Sequence, residues 1–292
     1  MQTTIRKPVR VSGIGLHTGC QVSVELRPAP PDTGIIFRRV DLQGFQIEAV
    51  RRHVSRVVLA TTLMKRGVMI STVEHILSAL YGSGVDNIYI DIDSLEVPIL
   101  DGSALPYVKM LQEAGIEEQD KERTYLQVIK ETTLREGDKW IRIAPYPMFR
   151  VSYHIHFAHP LIGSQAFDLR VTPESYAREV SFARTFGFYS EVEQLLKKGL
   201  IRGGSPDNAV VLTDGGILND GLRAPDEFVR HKTLDLIGDL ALSGYPVLGH
   251  VSAEKAGHSL HTDIATLLAR NPSITRKVKE SELSLALKAA AS

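Results

Sequence analysis

The sequence predicts an α+β protein built from two similar halves. Each half runs in the same order of strands, helix, Gly-containing turn, strand and helix. A charged segment without apolar periodicity, "IEEQDKERTY", separates the halves. In addition, "VEH" at 73–75 and "VRH" at 229–231 stand near the start of corresponding helices, which indicates a duplicated unit. We therefore expect a first domain at 1–115, a linker at 116–125 and a second domain at 126–292.

The first half is predicted to begin with strands. "QVSVELRPAP" and "GIIFRRVDL" are rich in β-branched and alternating apolar residues, and they stop at Pro, Gly or Asp. A helix from about Thr72 to Tyr81 ends at the "GSG" turn, and Ser71 or Thr72 is expected to cap its start. "NIYIDID" follows as a strand, and "ALPYVKMLQEAG" as a second helix that ends at Gly115.

The second half repeats these signals. Its opening strands surround a turn at "EGD", and Pro173 suits the first turn of a helix in "PESYAREVSFAR". A short helix, "EVEQLLKKG", and a short strand, "NAVVL", predict a βαβ insertion near 189–212. The long amphipathic helix "DEFVRHKTLDLIGDLALSG" ends at Gly244, the strand "PVLGHVSA" follows, and the helix "HSLHTDIATLLAR" closes the half.

Composition limits the class of protein. The 292 residues carry 34 basic and 34 acidic side chains, so the net charge does not favour a nucleic-acid partner. Cys20 is the only cysteine, which excludes an intrachain disulfide and a cysteine metal cluster. The sequence has neither the apolar core of a secretory signal nor an apolar stretch long enough to span a bilayer. We therefore expect a cytoplasmic protein without stable membrane insertion, and nothing in the sequence indicates an obligate protein partner.

Histidine and aspartate residues on the long helix are spaced for a metal site. His231, Asp235 and Asp239 follow one another at i, i+4 and i+8, which places them on one face of the helix. On this segment alone, a solvated acidic helix face explains the pattern equally well. If the halves pack by pseudo-symmetry, His75 meets His231 between them and completes a His, His, Asp set. Three protein ligands with an open fourth position are typical of catalytic zinc.

Glu74 lies next to His75, and this pair has two interpretations. "STVEHILSAL" fits a capping box, in which Glu74 folds back to the backbone at the start of the helix. It also fits a metal site, in which a carboxylate beside a ligand is the base for hydrolysis. The second interpretation needs a proton donor as well. His258 and His261, at a strand-to-helix junction, are candidates, and Asp239 would hold such a histidine protonated.

Two other function classes are compatible with these residues. A His, His, Asp set is also the facial triad of non-haem iron oxygenases, which do not require a neighbouring Glu base. The non-enzymatic alternative is a nucleotide-sugar or acyl-chain binding module whose histidines are structural. Glu74 beside a ligand, together with a separate acid at His258, favours hydrolysis.

Several motifs together resemble one family. Between about residue 3 and about residue 270, seven motifs are similar in sequence and order to the UDP-3-O-acyl-N-acetylglucosamine deacetylases, the zinc enzymes of lipid A biosynthesis: "GIGLHTG", "TVEH", "PILDGSA", "EGDKW", "ARTFGF", "HKTLDLIGD" and "AGHSLH". The resemblance implies two similar β-α-α-β domains packed as a sandwich, with the helices between the sheets and the active site at the domain interface. It also implies hydrolysis of the 2-acetamido group of the sugar, with release of acetate.

The resemblance further implies roles for individual residues. Zn²⁺, or Fe²⁺ in the cell, would be held by His75, His231 and Asp235. Glu74 would be the general base, and His258 would be the acid or the cation that stabilises the oxyanion. Asp239 would pair with His258, and Thr185 would donate a hydrogen bond to the oxyanion. The substrate UDP-3-O-acyl-N-acetylglucosamine would be contacted by Lys232 and Lys139 at its UDP portion, and also by Phe186 and His17. Residues 189–212 would border an apolar passage for the acyl chain.

Overall fold

The computed structural model describes residues 1–57 and 59–283. The first half contains β1 (Thr3–Ile5), β2 (Val9–Ile14), β3 (Gln21–Pro28), β4 (Ile35–Arg39), β5 (Phe45–Glu48), β6 (Val54–Arg56), β7 (Thr62–Lys65), β8 (Val68–Ile70), α1 (Glu74–Gly82), β9 (Ile88–Ile92), α2 (Leu105–Ala114) and β10 (Ile116–Glu118). The second half contains β11 (Thr124–Val128), β12 (Thr132–Glu136), β13 (Lys139–Ala144), β14 (Phe149–Phe157), β15 (Gly163–Arg170), α3 (Pro173–Glu179), β16 (Phe186–Phe188), α4 (Tyr189–Lys197), β17 (Val210–Thr213), β18 (Gly216–Ile217), α5 (Glu227–Ala241), β19 (Val247–Glu254), α6 (His258–Arg270) and β20 (Thr275–Lys279). Short 3₁₀ helices lie at Val40–Leu42 and Arg51–His53.

The five-stranded sheet of the first half corresponds to five strands of the seven-stranded sheet of the second half, to which β11 and β20 are added. The first sheet has the order β2-β3-β9-β4-β5. In the second sheet the same places are taken by β12, β13, β19, β14 and β15. In both sheets the central strand is antiparallel to one of these neighbours and parallel to the next: β9 to β3 and β4, and β19 to β13 and β14. The predicted α+β class and the duplicated order of elements are confirmed.

The segment predicted as a linker contains regular structure. Within 116–125, β10 pairs antiparallel with β1, so that Ile116 lies opposite Ile5. The strand β11 begins at Thr124 and joins the second sheet. The chain therefore passes between the halves with little free length, and the division into two domains at this segment stays a proposal. Residues 284–292, the end of the predicted second domain, lie outside the described residues.

The helices α1 and α5 pack against each other between the sheets, and Gly238 sets their separation. A Cβ built on Gly238 would lie 2.1 Å from the backbone carbonyl oxygen of Glu74. Only glycine therefore allows the two backbones to approach this closely. Across the same contact, the Ser78 hydroxyl donates a hydrogen bond to the carbonyl of Leu234 at 2.7 Å. Apolar side chains of both halves join in one continuous core around this crossing.

The helix α3 is shorter than the sequence predicts. It ends at Glu179, although the apolar pattern continues to Arg184. Tertiary contacts explain the difference, because the following backbone groups bond to other elements. The carbonyl of Ser181 accepts from the Ala104 N–H, and the Arg184 N–H donates to Glu227.

The insertion has the predicted βαβ form. The strands β16 and β17 are parallel, with Phe186 opposite Val210, and α4 connects them. Several large apolar side chains of this region are exposed, including Tyr189, Leu196 and Leu200. Among the described residues, no helix combines the length and the apolar character needed to cross a membrane.

Candidate active site

The start of α1 is not capped by a side chain. Its N-cap residue is Val73, so the predicted cap by Ser71 or Thr72 is wrong. Thr72 has a positive φ of 58°, which turns its side chain away from the helix, and its hydroxyl donates to Glu96 at 3.0 Å. The Ser71 hydroxyl accepts a hydrogen bond from Thr62. The helix therefore begins without the capping box that the sequence pattern allows.

Glu74 instead points into the space between the two halves. Its Oε2 accepts a hydrogen bond from the Thr61 backbone N–H at 3.0 Å, and its Oε1 lies 3.9 Å from His258 Nε2. Burial raises the pKa of Glu74 to about 7, against the opposing effect of the positive charge on His258. A carboxylate with a pKa near neutrality both accepts and returns a proton readily, which suits a general base.

His75, His231 and Asp235 converge from the two halves. The two histidine Nε2 atoms lie 3.8 Å and 3.3 Å, respectively, from the same Asp235 oxygen, Oδ1. The three donor atoms lie within 4.8 Å of one another, and all three residues are buried. Burial lowers the pKa of His75 to about 3 and also lowers the pKa of His231, so both rings are neutral and carry a lone pair.

The surroundings of these three residues fit a divalent metal ion. His231 Nδ1 lies 3.1 Å from the Ala183 carbonyl, which can only accept, so the lone pair of His231 is on Nε2. The ammonium group of Lys232 donates to Asp235 Oδ2 at 2.9 Å and leaves Oδ1 available. Burial would raise the pKa of Asp235, but the positive charges of nearby Lys232 and His258 outweigh it and lower this pKa, so the carboxyl stays ionised. Two imidazole nitrogens and one carboxylate oxygen are a donor set of the type used by catalytic zinc sites.

A second cluster surrounds Asp239, which is completely buried. Its Oδ1 accepts from the Thr61 hydroxyl at 2.6 Å, and its Oδ2 lies 2.7 Å from His258 Nδ1 and 3.0 Å from His261 Nδ1. Burial alone would lower the pKa of His258, but the charge and hydrogen bond of Asp239 outweigh burial and raise it to about 9. His258 is therefore a cation at neutral pH. Its predicted pairing with Asp239 is present in the structure.

A cavity of about 420 Å³ joins these groups. Glu74, His75, His231, Asp235 and His258 line it together with the remaining residues expected to contact substrate or oxyanion, namely Thr185, Phe186, Lys232, Lys139 and His17. His261, the alternative acid, is 0% exposed and is not part of the cavity lining. A proton donor must reach the substrate, so the geometry favours His258 over His261 for that role.

The "PILDGSA" segment positions Thr185. The Thr185 N–H donates to the carbonyl of Gly102 at 2.8 Å. Gly102 has a φ of +83°, and a Cβ at this position would lie 2.1 Å from the Asn208 carbonyl oxygen. The loop of the first half can therefore hold Thr185 only with glycine at this point.

Sequence reasoning missed two residues that shape the site. Thr61 contacts both Glu74 and Asp239, and so connects the expected base with the partner of the expected acid. Glu96, which is 1% exposed, accepts hydrogen bonds from the backbone N–H groups of His17 and Thr18 and thereby fixes the "GIGLHTG" loop. Neither residue stands in a periodic pattern, and both are defined by contacts between distant segments.

Comparisons with known proteins agree with this geometry. The model of the UDP-3-O-acyl N-acetylglycosamine deacetylase family matches residues 2–270. The chain belongs to this family. It is 51% identical over 274 residues to the UDP-3-O-acyl-N-acetylglucosamine deacetylase of Solibacter usitatus, covering 94% of this chain and 92% of the relative. It is 47% identical over 283 residues to the protein of that name from Syntrophotalea carbinolica, covering 96% and 92%. The match to the Myxococcus xanthus protein of that name, also 47% identical, covers 93% and 87%.

Membership of the deacetylase family decides between the function classes that the sequence left open. The family acts on an amide, which confirms the expected hydrolase and is inconsistent with the oxygenase and the simple binding module. The family is also metal-dependent, in agreement with the His, His, Asp set in the structure.

Proposed function

We propose that this chain removes the N-acetyl group from UDP-3-O-acyl-N-acetylglucosamine, in the biosynthesis of lipid A. The products are acetate and the free 2-amine of the sugar. One observation carries this proposal beyond family membership. A carboxylate with a raised pKa, Glu74, and an imidazolium, His258, lie 3.9 Å apart at a cavity lined by a metal-ligand set.

We propose zinc as the metal, with His75, His231 and Asp235 as its ligands. Two imidazoles and one carboxylate would hold the ion as the three protein ligands typical of catalytic zinc, and the chain has no second cysteine for a structural zinc site. When bound, Zn²⁺ supplies a Lewis acid and lowers the pKa of a coordinated water to about 7. The same donors accept Fe²⁺, so availability in the cell also determines which ion is present.

Glu74 is proposed as the general base. The Thr61 N–H holds Oε2, which leaves Oε1 to take a proton from the attacking water at the cavity. The pKa of about 7 matches this task, because a base of this strength is substantially ionised at neutral pH.

His258 is proposed as the general acid. Departure of the sugar amine requires a proton, and His258 carries one at neutral pH because Asp239 accepts from its Nδ1. Its Nε2 faces Glu74 and the cavity, so the proton to be donated lies on the substrate side. Thr185 lies on the cavity wall, where its hydroxyl would donate to the developing oxyanion.

The remaining lining residues are proposed to bind the substrate. Lys139 and Lys232 offer positive charge for the diphosphate of UDP, and Phe186 and His17 offer ring surfaces. The Lys232 ammonium contacts Asp235 in this structure, so any diphosphate contact shares this charge with the carboxylate. The insertion at 189–212, which exposes Tyr189, Leu196 and Leu200, would border the acyl chain. We also propose a cytoplasmic location.

The test is direct. Zinc-loaded protein incubated with UDP-3-O-acyl-N-acetylglucosamine should release one acetate and one free amine per turnover. Glu74→Gln is the matched control, because it preserves size and hydrogen-bonding capacity but cannot accept the proton. Absence of acetate from folded, zinc-containing wild-type protein would contradict the proposed function.

A further inference from the structure

His261 is a buried histidine to which the proposed reaction assigns no step. It lies in α6, one turn after His258, and is 0% exposed. Its Nδ1 is 3.0 Å from Asp239 Oδ2, and His258 Nδ1 is 2.7 Å from the same oxygen. Two imidazoles therefore share a single carboxylate oxygen.

The partners of His261 determine which of its nitrogens carries the proton. Burial raises the pKa of Asp239, but the charge and hydrogen bond of His258 outweigh it, so Asp239 is ionised and only accepts. His261 Nδ1 is therefore the donor. Burial lowers the pKa of His261 despite the contact with Asp239, and its second nitrogen, Nε2, faces Tyr153. The Tyr153 hydroxyl lies 2.9 Å from this nitrogen and 2.7 Å from the Ala256 carbonyl.

We propose that His261 is a positioning residue that acts on His258 through Asp239. Its N–H holds the shared oxygen towards His258 and competes with His258 for the negative charge of that oxygen. Two donors to one acceptor weaken each other, so the His261 hydrogen bond is strongest when His258 has lost its proton. His261 thus favours proton release from His258, the step that a general acid must perform. This inference rests on the role of His258 in the proposed function.

Other ionisable groups also surround His258. They line the same cavity from α1, from α5, from the β12–β13 hairpin and from the loop after β2, and they are Glu74, His75, His231, Lys232, Asp235, Glu136, Lys139 and His17. A substitution at His261 leaves all of them in place. A change in the pKa of His258 in a His261 variant therefore reports the loss of the hydrogen bond from His261 to Asp239.

Two substitutions distinguish the effect of the His261 hydrogen-bond donor from the effect of the volume of its ring. His261→Leu removes the donor, and the Tyr153 hydroxyl retains the Ala256 carbonyl as its partner. His261→Asn retains an N–H close to the position of Nδ1. If the leucine variant does not fold, His261→Met provides the same test with a more adaptable side chain.

The readout is the pKa of His258, measured by NMR titration of histidine rings in zinc-loaded protein. In His261→Leu it should rise by about 0.5–1 unit, because loss of a hydrogen bond to the carboxylate strengthens the hold on the His258 proton. The alkaline limb of kcat/KM should move in the same direction. His261→Asn should restore the wild-type value to within about 0.3 unit.

Tyr176→Phe controls for a general effect of removing a buried polar group. Tyr176 is also completely buried, and its hydroxyl bonds to Ser78 outside the Asp239 cluster. An unchanged or lowered His258 pKa in folded His261→Leu protein, or an equal rise in Tyr176→Phe, would overturn the inference. The NMR titration does not require turnover, so it tests the role of His261 independently of activity. Failure of the proposed function would instead appear as absence of acetate release.

Discussion

Replacement of Gly238 by alanine should damage both stability and the metal site. In an isolated helix this change is favourable by about 1 kcal/mol, since alanine is the better helix former. In this structure, however, the new Cβ would lie 2.1 Å from the Glu74 carbonyl oxygen and 2.9 Å from its carbonyl carbon. Ordinary contact begins at 3.4 Å, so the backbones of α1 and α5 must separate by the difference, about 1.3 Å.

The size of this displacement determines how much stability and zinc affinity the substitution should cost. Overpacking of this kind costs about 1–3 kcal/mol, which exceeds the gain in helix propensity. The two helices carry His75 on one side and His231 and Asp235 on the other. Metal–ligand distances tolerate only about 0.2 Å, so we expect at least about tenfold weaker zinc binding.

Chemical denaturation would measure the free energy of unfolding, and competition with a chromophoric chelator would measure zinc affinity. Gly215→Ala is the matched control, because a Cβ at Gly215 has no heavy atom within 4 Å. It should leave both quantities close to wild type. A Gly238→Ala protein with wild-type stability and zinc affinity would refute the close helix crossing as the element that forms the site.

Four further predictions follow from the side chains of the site. Glu74→Gln should lower kcat by roughly 10²-fold or more while zinc content is retained, and wild-type turnover in this variant would return Glu74 to a structural role. Activity should fall below about pH 7, where Glu74 becomes protonated, and above about pH 9, where His258 loses its proton, as measured by kcat/KM profiles of wild type and His258→Ala. Because the pKa of His258 is higher in the folded than in the unfolded protein, protonated His258 stabilises the fold. This contribution to the free energy of unfolding is complete below about pH 6.5 and disappears as the pH rises through about 9. Chemical denaturation at several pH values would detect the loss. Removal of the metal with a chelator should abolish acetate release and lower the thermal midpoint, and added zinc should restore both, since an ion that binds only the native state stabilises it.

Much of the fold could be predicted from local signals. The helix α2 ends at Gly115, which has the positive φ that its position requires, and the hairpin of β12 and β13 turns at the predicted "EGD" segment. The repeated order of strands and helices predicted the correspondence between the two sheets. The end of α3 was not predictable, because it depends on hydrogen bonds to Ala104 and Glu227 from other parts of the chain.

The site was predictable only in part. The i, i+4 spacing places His231 and Asp235 on one helical face, but their meeting with His75 depends on the close crossing at Gly238. The cap of α1 was predicted wrongly, because Thr72 bonds to Glu96 and not to the helix. The role of Thr61 as a connection between Glu74 and Asp239 has no sequence signal, since it depends on one hydrogen bond within the first half and another to the second half.

Anomalous diffraction at the zinc absorption edge, from crystals of protein purified without chelators, tests the central claim most directly. Within residues 1–57 and 59–283, two groups of residues are close enough to hold an ion, and only one of them is proposed to hold the catalytic metal. We predict the principal peak about 2.0–2.2 Å from His75 Nε2, His231 Nε2 and Asp235 Oδ1. A principal peak between Asp239, His258 and His261, or no peak at the first position in active crystals, would contradict the account.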